Sequence, residues 1–475
     1  MQHRKNWTFI TDKSEGFHFR WKYYASNIDW NEYQQNNSVP TTKLKMINLF
    51  EKYNLIGNKR NFFIHMLLYC NKQNLNVFDY VPLTIILDKK KEIFKTNLTS
   101  LSKVIDILND KYNCEKNKVD SNGLLLTHLN TKIKYTDLFI IEGLKKKMEM
   151  INTRTPDKES NTINDNINIF MNKSYISNKN YFIVKPMNLY QALGIKVASS
   201  INEITEHAHY LYKGFEKLTS EMEEYIKQHP DKDVKLKYYK TSSIIIQKYL
   251  DHPLLYYGRK FDVRIFVLID YKLNVYLCKE GHMKACSEPY SIDTLDSYIH
   301  LTNYSLQKHS ENFSKYEYAN EISYEQFKVN LKDNYCNGDA ELANSKFKSI
   351  IQGIKNLVEV SMNCVGNKLN CKKNTLSFQI FGYDFIIDRN FKPWILEINY
   401  NPGLQISSKV IENIVPRMVD DAFRMNIDEV FETVYSDECV DKETGKYKSP
   451  YHVDGYADDE YIYEFVCNIN KNPYE

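Results

Sequence analysis

The sequence predicts a mixed α/β protein, of α+β type, with more than one domain. Three observations carry this expectation. Apolar runs rich in β-branched residues alternate with stretches of helical period along most of the chain. The length of 475 residues corresponds to roughly three domains. A hydrophobic fraction of 43% against a charged fraction of 26% is the balance of a globular chain with a large core.

Taken in order, residues 1–40 are polar and end in the Asn/Gln-rich QQNNSVP, which predicts a loosely ordered N-terminal extension. Residues 41–150 alternate helical TKLKMINLFEKYNLI with strand-like VPLTIIL, as an N-terminal α/β domain would. The Asn/Ser/Thr-rich stretch 151–180 reads as a surface linker. A strand, YFIVKP, then opens a helix-rich unit over 181–245. Residues 246–435 hold strands in quick succession (FDVRIFVLIDYKLNVYLCKEG), helices (YEQFKVNLKD, SKFKSIIQGIKNLVEVSM), a hairpin and helical IENIVPRMVDDAFRMNIDEVFETV. The acidic tail 436–475 is expected to be peripheral, and no internal repeat is visible.

Composition excludes several classes. A net charge of +3 does not suit a general nucleic-acid binder. The lysine runs at 89–91 and 145–147 fit solvated faces or contact with an acidic partner. Nine cysteines without a C-x-x-C pair argue for reduced thiols in the cytoplasm, and against a disulfide framework or structural zinc. No apolar run reaches the roughly 18 residues of a membrane helix, and the opening residues carry no apolar signal segment.

Chemistry concentrates in five segments. FGYDFIIDRNFKPWILEINYNPG (381–403) reads as two strands joined by Asp388-Arg389-Asn390. Glu397 and Asn399 share a face because side chains alternate. An even-numbered loop pairs Asp384 with Ile395, diagonal to Glu397 on that face, whereas an odd loop turns it away. Buried carboxylates need a compensating partner, and three such oxygen donors suit Mg²⁺ that also carries substrate phosphates; the alternative is an exposed face with ordinary surface acids. In GRKFDVRIFVL (258–268), Lys260, Asp262 and Arg264 recur at period two opposite Phe261, Val263, Ile265 and Val267. They form either a solvated salt-bridge ladder or a set of cations that hold phosphates and stabilise transition-state charge.

YFIVKP places Lys185 at a strand end, before a loop closing with Gly194-Ile195-Lys196. It fits a phosphate ligand or a snorkelling surface lysine. A single glycine in MNLYQALG excludes the P-loop and the G-x-G-x-x-G turn. In SIIIQKYLDHP, Gln247-Lys248-Tyr249-Leu250 could pair an adenine base at a strand edge with an aromatic or apolar face against it, or form plain core. HLTNYSLQK (300–308) concentrates Thr302, Asn303, Ser305, Gln307 and Lys308, which also fits an Asn-capped turn.

In this order, YFIVKP…GI, IIIQKYLDHPLL, GRKFDVRIFVLI, HLTNYSLQK and FGYDFIID…KPWILEIN resemble the signature blocks of the tubulin tyrosine ligase-like family over about residues 181–435. The resemblance implies an ATP-grasp fold, in which lobes at 181–245 and 246–435 clamp ATP behind the N-terminal domain. It implies ATP-dependent joining of an amino acid to the acidic C-terminal tails of tubulin through an acyl phosphate. Glutamate is the expected amino acid, with glycine, tyrosine or a catalytically impaired tubulin- or axoneme-binding relative as alternatives. By resemblance, Lys185 and Lys260 contact phosphates, with Gln191, Gly194 and Ile195 in the adjoining loop. Gln247, Lys248, Tyr249 and Leu250 meet the adenine, and Asp262, Thr302 and Asn303 lie beside the nucleotide. Asp384, Glu397 and Asn399 hold Mg²⁺, Arg264 steadies the acyl phosphate, and Ser305, Lys308 and Arg264 adjoin the free amino acid. The expected protein is a monomer of cytoplasm and cytoskeleton, cilium, axoneme or basal body included, with microtubules as partner and no nucleic acid or membrane.

Two departures stand out. Relatives usually carry Arg-Gly or Lys-Gly where this chain has Gln191-Ala192-Leu193, which removes a cation and a glycine from the phosphate side. Downstream of EINYNPGL, only the remote Arg417 offers itself as the basic residue that glutamate-adding members use.

Overall fold

The computed structural model of the chain describes residues 1–10, 17–22, 28–34, 43–89, 91–115, 132–134, 168–170, 179–189, 192–217, 226–229, 237–370 and 375–470. The lysine run at 145–147 and nearly all of the expected 151–180 linker lie outside them.

Two antiparallel sheets organise the described residues. Helix α1 (Lys59–Lys72) is capped by Asn58, whose side chain accepts from the Arg60 and Asn61 amides. Strand β1 (Thr84–Asp88), helix α2 (Lys91–Glu115), strands β2 (Phe182–Pro186) and β3 (Lys196–Ala198), helix α3 (Ile201–Lys213) and strand β4 (Ser243–Lys248) follow. The first sheet runs β1-β4-β2-β3. Its Ile85, Ile86, Val184 and Ile244 to Ile246 are buried, as β-branched residues on a doubly covered sheet should be. Helix α2 packs on β1, and α3 on β2 and β3. This sheet unites a strand from the expected 41–150 domain with strands of the 181–245 unit, and β4 runs across the expected 245/246 boundary.

The second sheet comprises β5 (Arg259–Ile269), β6 (Asn274–Ala285), β7 (Glu321–Ser323), β8 (Gln379–Ile387), β9 (Pro393–Asn399) and β10 (Tyr463–Asn468). Its path is β7-β6-β5-β8-β9; β10 pairs with β6, and a seventh, short strand, Leu255–Tyr256, pairs with β5. Helices α4 (Tyr324–Tyr335), α5 (Ala340–Asn363) and α6 (Lys409–Val430) complete it. The odd-numbered face of β5 (Phe261, Val263, Ile265) shares a core with Ile350, Ile354 and Val358 of α5. On the even face, Phe266 and Leu268 share a core with α6 residues such as Met418 and Ala422. Lys260, Asp262 and Arg264 lie on that same face, beyond the apolar core.

The hairpin register corrects the expected pairing. Ile387 lies opposite Pro393, so residues 388–392 form an odd-numbered connection. A regular ladder would then turn Glu397 away from Asp384. An irregularity between Phe385, opposite Ile395, and Asp384, opposite Glu397, inserts Leu396 as an extra residue and restores the shared face.

Described residues of both the expected loose extension and the expected peripheral tail are tied in. Arg4 is buried and pairs with Asp420 at 3.0 Å and Asp428 at 2.7 Å on α6. Arg417, the remote candidate for amino-acid recognition, is fully buried. It binds Asp421 at 3.2 Å and the carbonyls of Tyr451, Ala457 and Glu460 at 3.0, 2.9 and 2.7 Å. It thus fastens residues 451–460 and is spent on the fold. Cys70, Cys278, Cys286, Cys336, Cys364, Cys439 and Cys467 are free thiols. Among the described residues, no helix is long and apolar enough to cross a membrane.

Candidate functional site

A cleft of about 670 Å³ opens where the two sheets meet. The first sheet contributes Ile183 and Lys185 from β2, Ile195 from the following loop, and Gln247 and Lys248 from β4, which runs on into Tyr249 and Leu250. The second contributes Lys260, Asp262, Asp384, Ile386, Leu396 and Glu397, and the segment carrying Leu301, Thr302 and Asn303 closes the side.

Each charged group reaches this cleft from an apolar strand. Lys185 Nζ donates to Gln247 Oε1 at 2.9 Å, and Gln247 Nε2 donates to Thr84 Oγ1 at 3.0 Å, which ties β1, β4 and β2 together. Burial lowers the Lys185 ammonium to about 8, against attraction from Glu397. Lys248 Nζ donates to the Tyr249 carbonyl at 3.1 Å. The Tyr249 hydroxyl meets His300 Nδ1 at 2.8 Å, and Lys260 Nζ stands 4.8 Å from the Tyr249 ring centre while donating to the His300 carbonyl at 2.5 Å. Burial lowers Lys248 and Lys260 as well. The Lys185 and Lys260 ammonium groups are hydrogen-bonded to neutral oxygens, an arrangement that leaves much of their charge for an anion.

The opposite wall is a tight ionic array. Arg264 grips Asp384 bidentately, Nε to Oδ1 at 2.6 Å and a terminal nitrogen to Oδ2 at 2.8 Å. Lys284 Nζ lies 3.3 Å from Asp384 and 3.5 Å from Asp262. Thr302 Oγ1 donates to Asp262 at 2.5 Å. Lys59, in the first turn of α1, pairs with Glu397 at 3.0 Å. Burial alone would raise Asp384, but Arg264 and Lys284 outweigh it and hold the carboxyl well below the usual carboxylate range. Burial likewise opposes ionisation of Glu397, and Lys59 overcomes it. For Asp262, burial prevails over Lys284 and the carboxyl is raised.

The three expected residues converge, with the Asn399 amide nitrogen turned to the two carboxylates. Asn399 Nδ2 lies 3.1 Å from Asp384 Oδ2 and 3.4 Å from Glu397 Oε1. Two carboxylates and a carboxamide around one point, with hard donors and room on the cleft side, fit Mg²⁺. Gly382 makes the arrangement compact: a Cβ there would stand 2.8 Å from Pro402 Cβ and 3.4 Å from Arg264 Cδ.

Of the residues expected at the site, Lys185, Ile195, Gln247, Lys248, Tyr249, Leu250, Lys260, Asp262, Thr302, Asn303, Asp384 and Glu397 line the cleft. Arg264 and Asn399 join through Asp384. Gly194 sits behind it with φ of 71°, its carbonyl 2.8 Å from His207 Nε2. Ser305 and Lys308 are half-buried on and just after the turn Tyr304–Gln307, outside the cleft lining. Gln191 lies outside the described residues. Ala192 adopts φ of 59°, the left-handed conformation a glycine would take freely. Sequence reasoning missed Lys59, Lys284, Thr84 and His300. Lys284 carried a signal, since it sits on the β6 face opposite Asp262.

A sequence profile described as the tubulin-tyrosine ligase family matches residues 128–434. A mixed helix-and-sheet chain with this domain has the ATP-grasp fold, in agreement with two sheets meeting at a cleft. The chain is similar to tubulin glycylase 3B of Tetrahymena thermophila, 28% identical over 53% of this chain and 18% of the relative. It is similar to tubulin monoglycylase TTLL3 of Homo sapiens, 29% identical over 42% of this chain and 27% of the relative. Tubulin polyglutamylase ttll-5 of Caenorhabditis elegans is 27% identical over 51% of this chain and 30% of the relative. The matched region is less than half the length of each of these relatives.

Proposed function

The chain belongs to the tubulin-tyrosine ligase family, and we propose that it is an ATP-dependent ligase joining an amino acid to the acidic C-terminal tails of tubulin. The observation that carries this reading is the charge pattern of the cleft. Buried Lys185 and Lys260 face Asp384 and Glu397 across one cavity. Phosphoryl transfer depends on positioning and charge neutralisation of this kind more than on covalent catalysis.

In this reading Lys185 and Lys260 bind the phosphates of ATP, while the segment 247–250 packs against its base. Asp384, Glu397 and Asn399 would hold Mg²⁺, which supplies charge neutralisation at the phosphates. Arg264, locked in place by Asp384, orients and stabilises the carboxylate that is phosphorylated. The amine of the second partner then attacks the acyl carbon and inorganic phosphate leaves. The added amino acid is glutamate in this proposal. Glycine is the competing reading, because glycylases stand among the relatives. The working place is microtubules in the cytoplasm.

The test incubates the protein with microtubules, Mg²⁺-ATP and radiolabelled glutamate, glycine or tyrosine in turn. Label from glutamate on intact microtubules, absent from microtubules stripped of their tails by protease, is expected. Undiminished labelling of stripped microtubules would remove the tail as acceptor. Label from glycine alone would replace the amino acid.

A further inference from the structure

One transverse row of side chains crosses the second sheet. Glu397 lies opposite Asp384, Asp384 opposite Arg264, Arg264 opposite His282, and His282 opposite Ser323. Directly opposed residues share a face with Cβ atoms about 4.5–5.5 Å apart. Four of the five are engaged: Glu397 by Lys59, Asp384 and Arg264 by each other, and Ser323 as the cap of α4. His282 differs. It is 4% exposed, and its Nδ1 is buried without a hydrogen-bond partner.

A buried polar nitrogen left unpaired costs stability and calls for an explanation. The neighbours supply one. Burial, with Lys284 and Arg264 nearby, keeps the imidazole neutral, so it can accept a hydrogen bond. Lys284 stands two residues along β6 on the same face, and with Arg264 it offers positive charge to a carboxylate. An acceptor for an amine beside cations for a carboxylate matches the two ends of a free amino acid. In the proposed reaction the amine attacks an acyl phosphate steadied by Arg264, and His282 is the next position along the row.

The geometry points to His282 as a binding residue for the amine of the free amino acid, in a subsite on the far side of Arg264 from the nucleotide. This inference rests on the function proposed above, and its test needs no tubulin. Thermal unfolding is followed for wild type, His282→Leu and His282→Gln in Mg²⁺ and a non-hydrolysable ATP analogue, with and without millimolar glutamate, glycine or tyrosine. At least one amino acid should raise the wild-type midpoint. That rise should vanish in His282→Leu and return in part in His282→Gln, while the analogue-induced rise stays the same in all three. Without ligands, His282→Leu should unfold at the wild-type temperature or above it, because it removes an unpaired buried nitrogen. Equal amino-acid shifts in wild type and His282→Leu would overturn the inference. So would the lack of any wild-type shift, or a ligand-free His282→Leu that unfolds well below wild type. A protein that shows the His282-dependent shift yet labels no microtubules would retain this subsite and lose the proposed acceptor.

Discussion

Lys185 couples the cleft to pH. Its ammonium, lowered to about 8 by burial, is protonated below that pH and neutral above it, and a phosphate contact needs the charged form. Nucleotide affinity, measured by titration of an ATP analogue, should therefore weaken as pH rises through about 8. In Lys185→Arg, which keeps its charge, this weakening should disappear. For stability without nucleotide the sign reverses. The unfolded lysine holds its proton up to its ordinary 10.5, so the folded state gains as pH climbs from about 8 towards that value. Glu397→Gln should abolish Mg²⁺-ATP turnover while circular dichroism and the unfolding midpoint stay close to wild type; wild-type turnover would remove Glu397 from the metal set. At this scale much was legible. Lys260, Asp262 and Arg264 stood out because period two set them against an apolar face, and Asp384 and Glu397 because carboxylates are rare in such runs. Lys59 gave no signal, since a lysine in the first turn of a distant helix looks like any solvated one.

The hairpin β8–β9 shows what element-level reading can and cannot reach. Its strands, turn and polar face follow from alternation and from Asp388-Arg389-Asn390. Its register does not, because an odd connection and one bulge compensate, and neither leaves a mark in hydrophobic pattern. The sequence expectation thus reached the correct face through a pairing, Asp384 with Ile395, that the structure replaces. Close approach is just as silent. Gly382 lets the chain at Pro402 and the Arg264 side chain pass over β8. Gly382→Ala should cost about 1–3 kcal/mol in a denaturant titration through overpacking. It should also lower turnover by disturbing the Arg264–Asp384 pair. A variant with unchanged midpoint and turnover would show that Pro402 yields freely.

For the whole molecule, composition misjudged both ends. The segment 1–40 reads as loose and 436–475 as peripheral because single buried cations produce no periodicity. Yet Arg4 reaches α6, and Arg417 holds residues 451–460. Arg417→Met should destabilise the protein by about 1–3 kcal/mol, since three carbonyls lose their donor while Asp421 keeps Arg424 at 2.9 Å. Limited proteolysis should then cut first within 446–460; an unchanged cleavage pattern would separate Arg417 from the tail. The first sheet has a comparable long reach, because β1 near residue 84 finds its neighbour β4 only near residue 243. During synthesis this sets a timetable. At roughly 5–20 residues per second, the edge of β1 stays unpaired with β4 for about 8–31 s while the ribosome completes the intervening 154 residues, 89–242. Arg4 waits longer still, for Asp420, 416 residues downstream. The nascent chain therefore carries an open β edge through about a third of its translation and an unmatched cation through most of it. Its yield in cells should depend on chaperones that shield that edge.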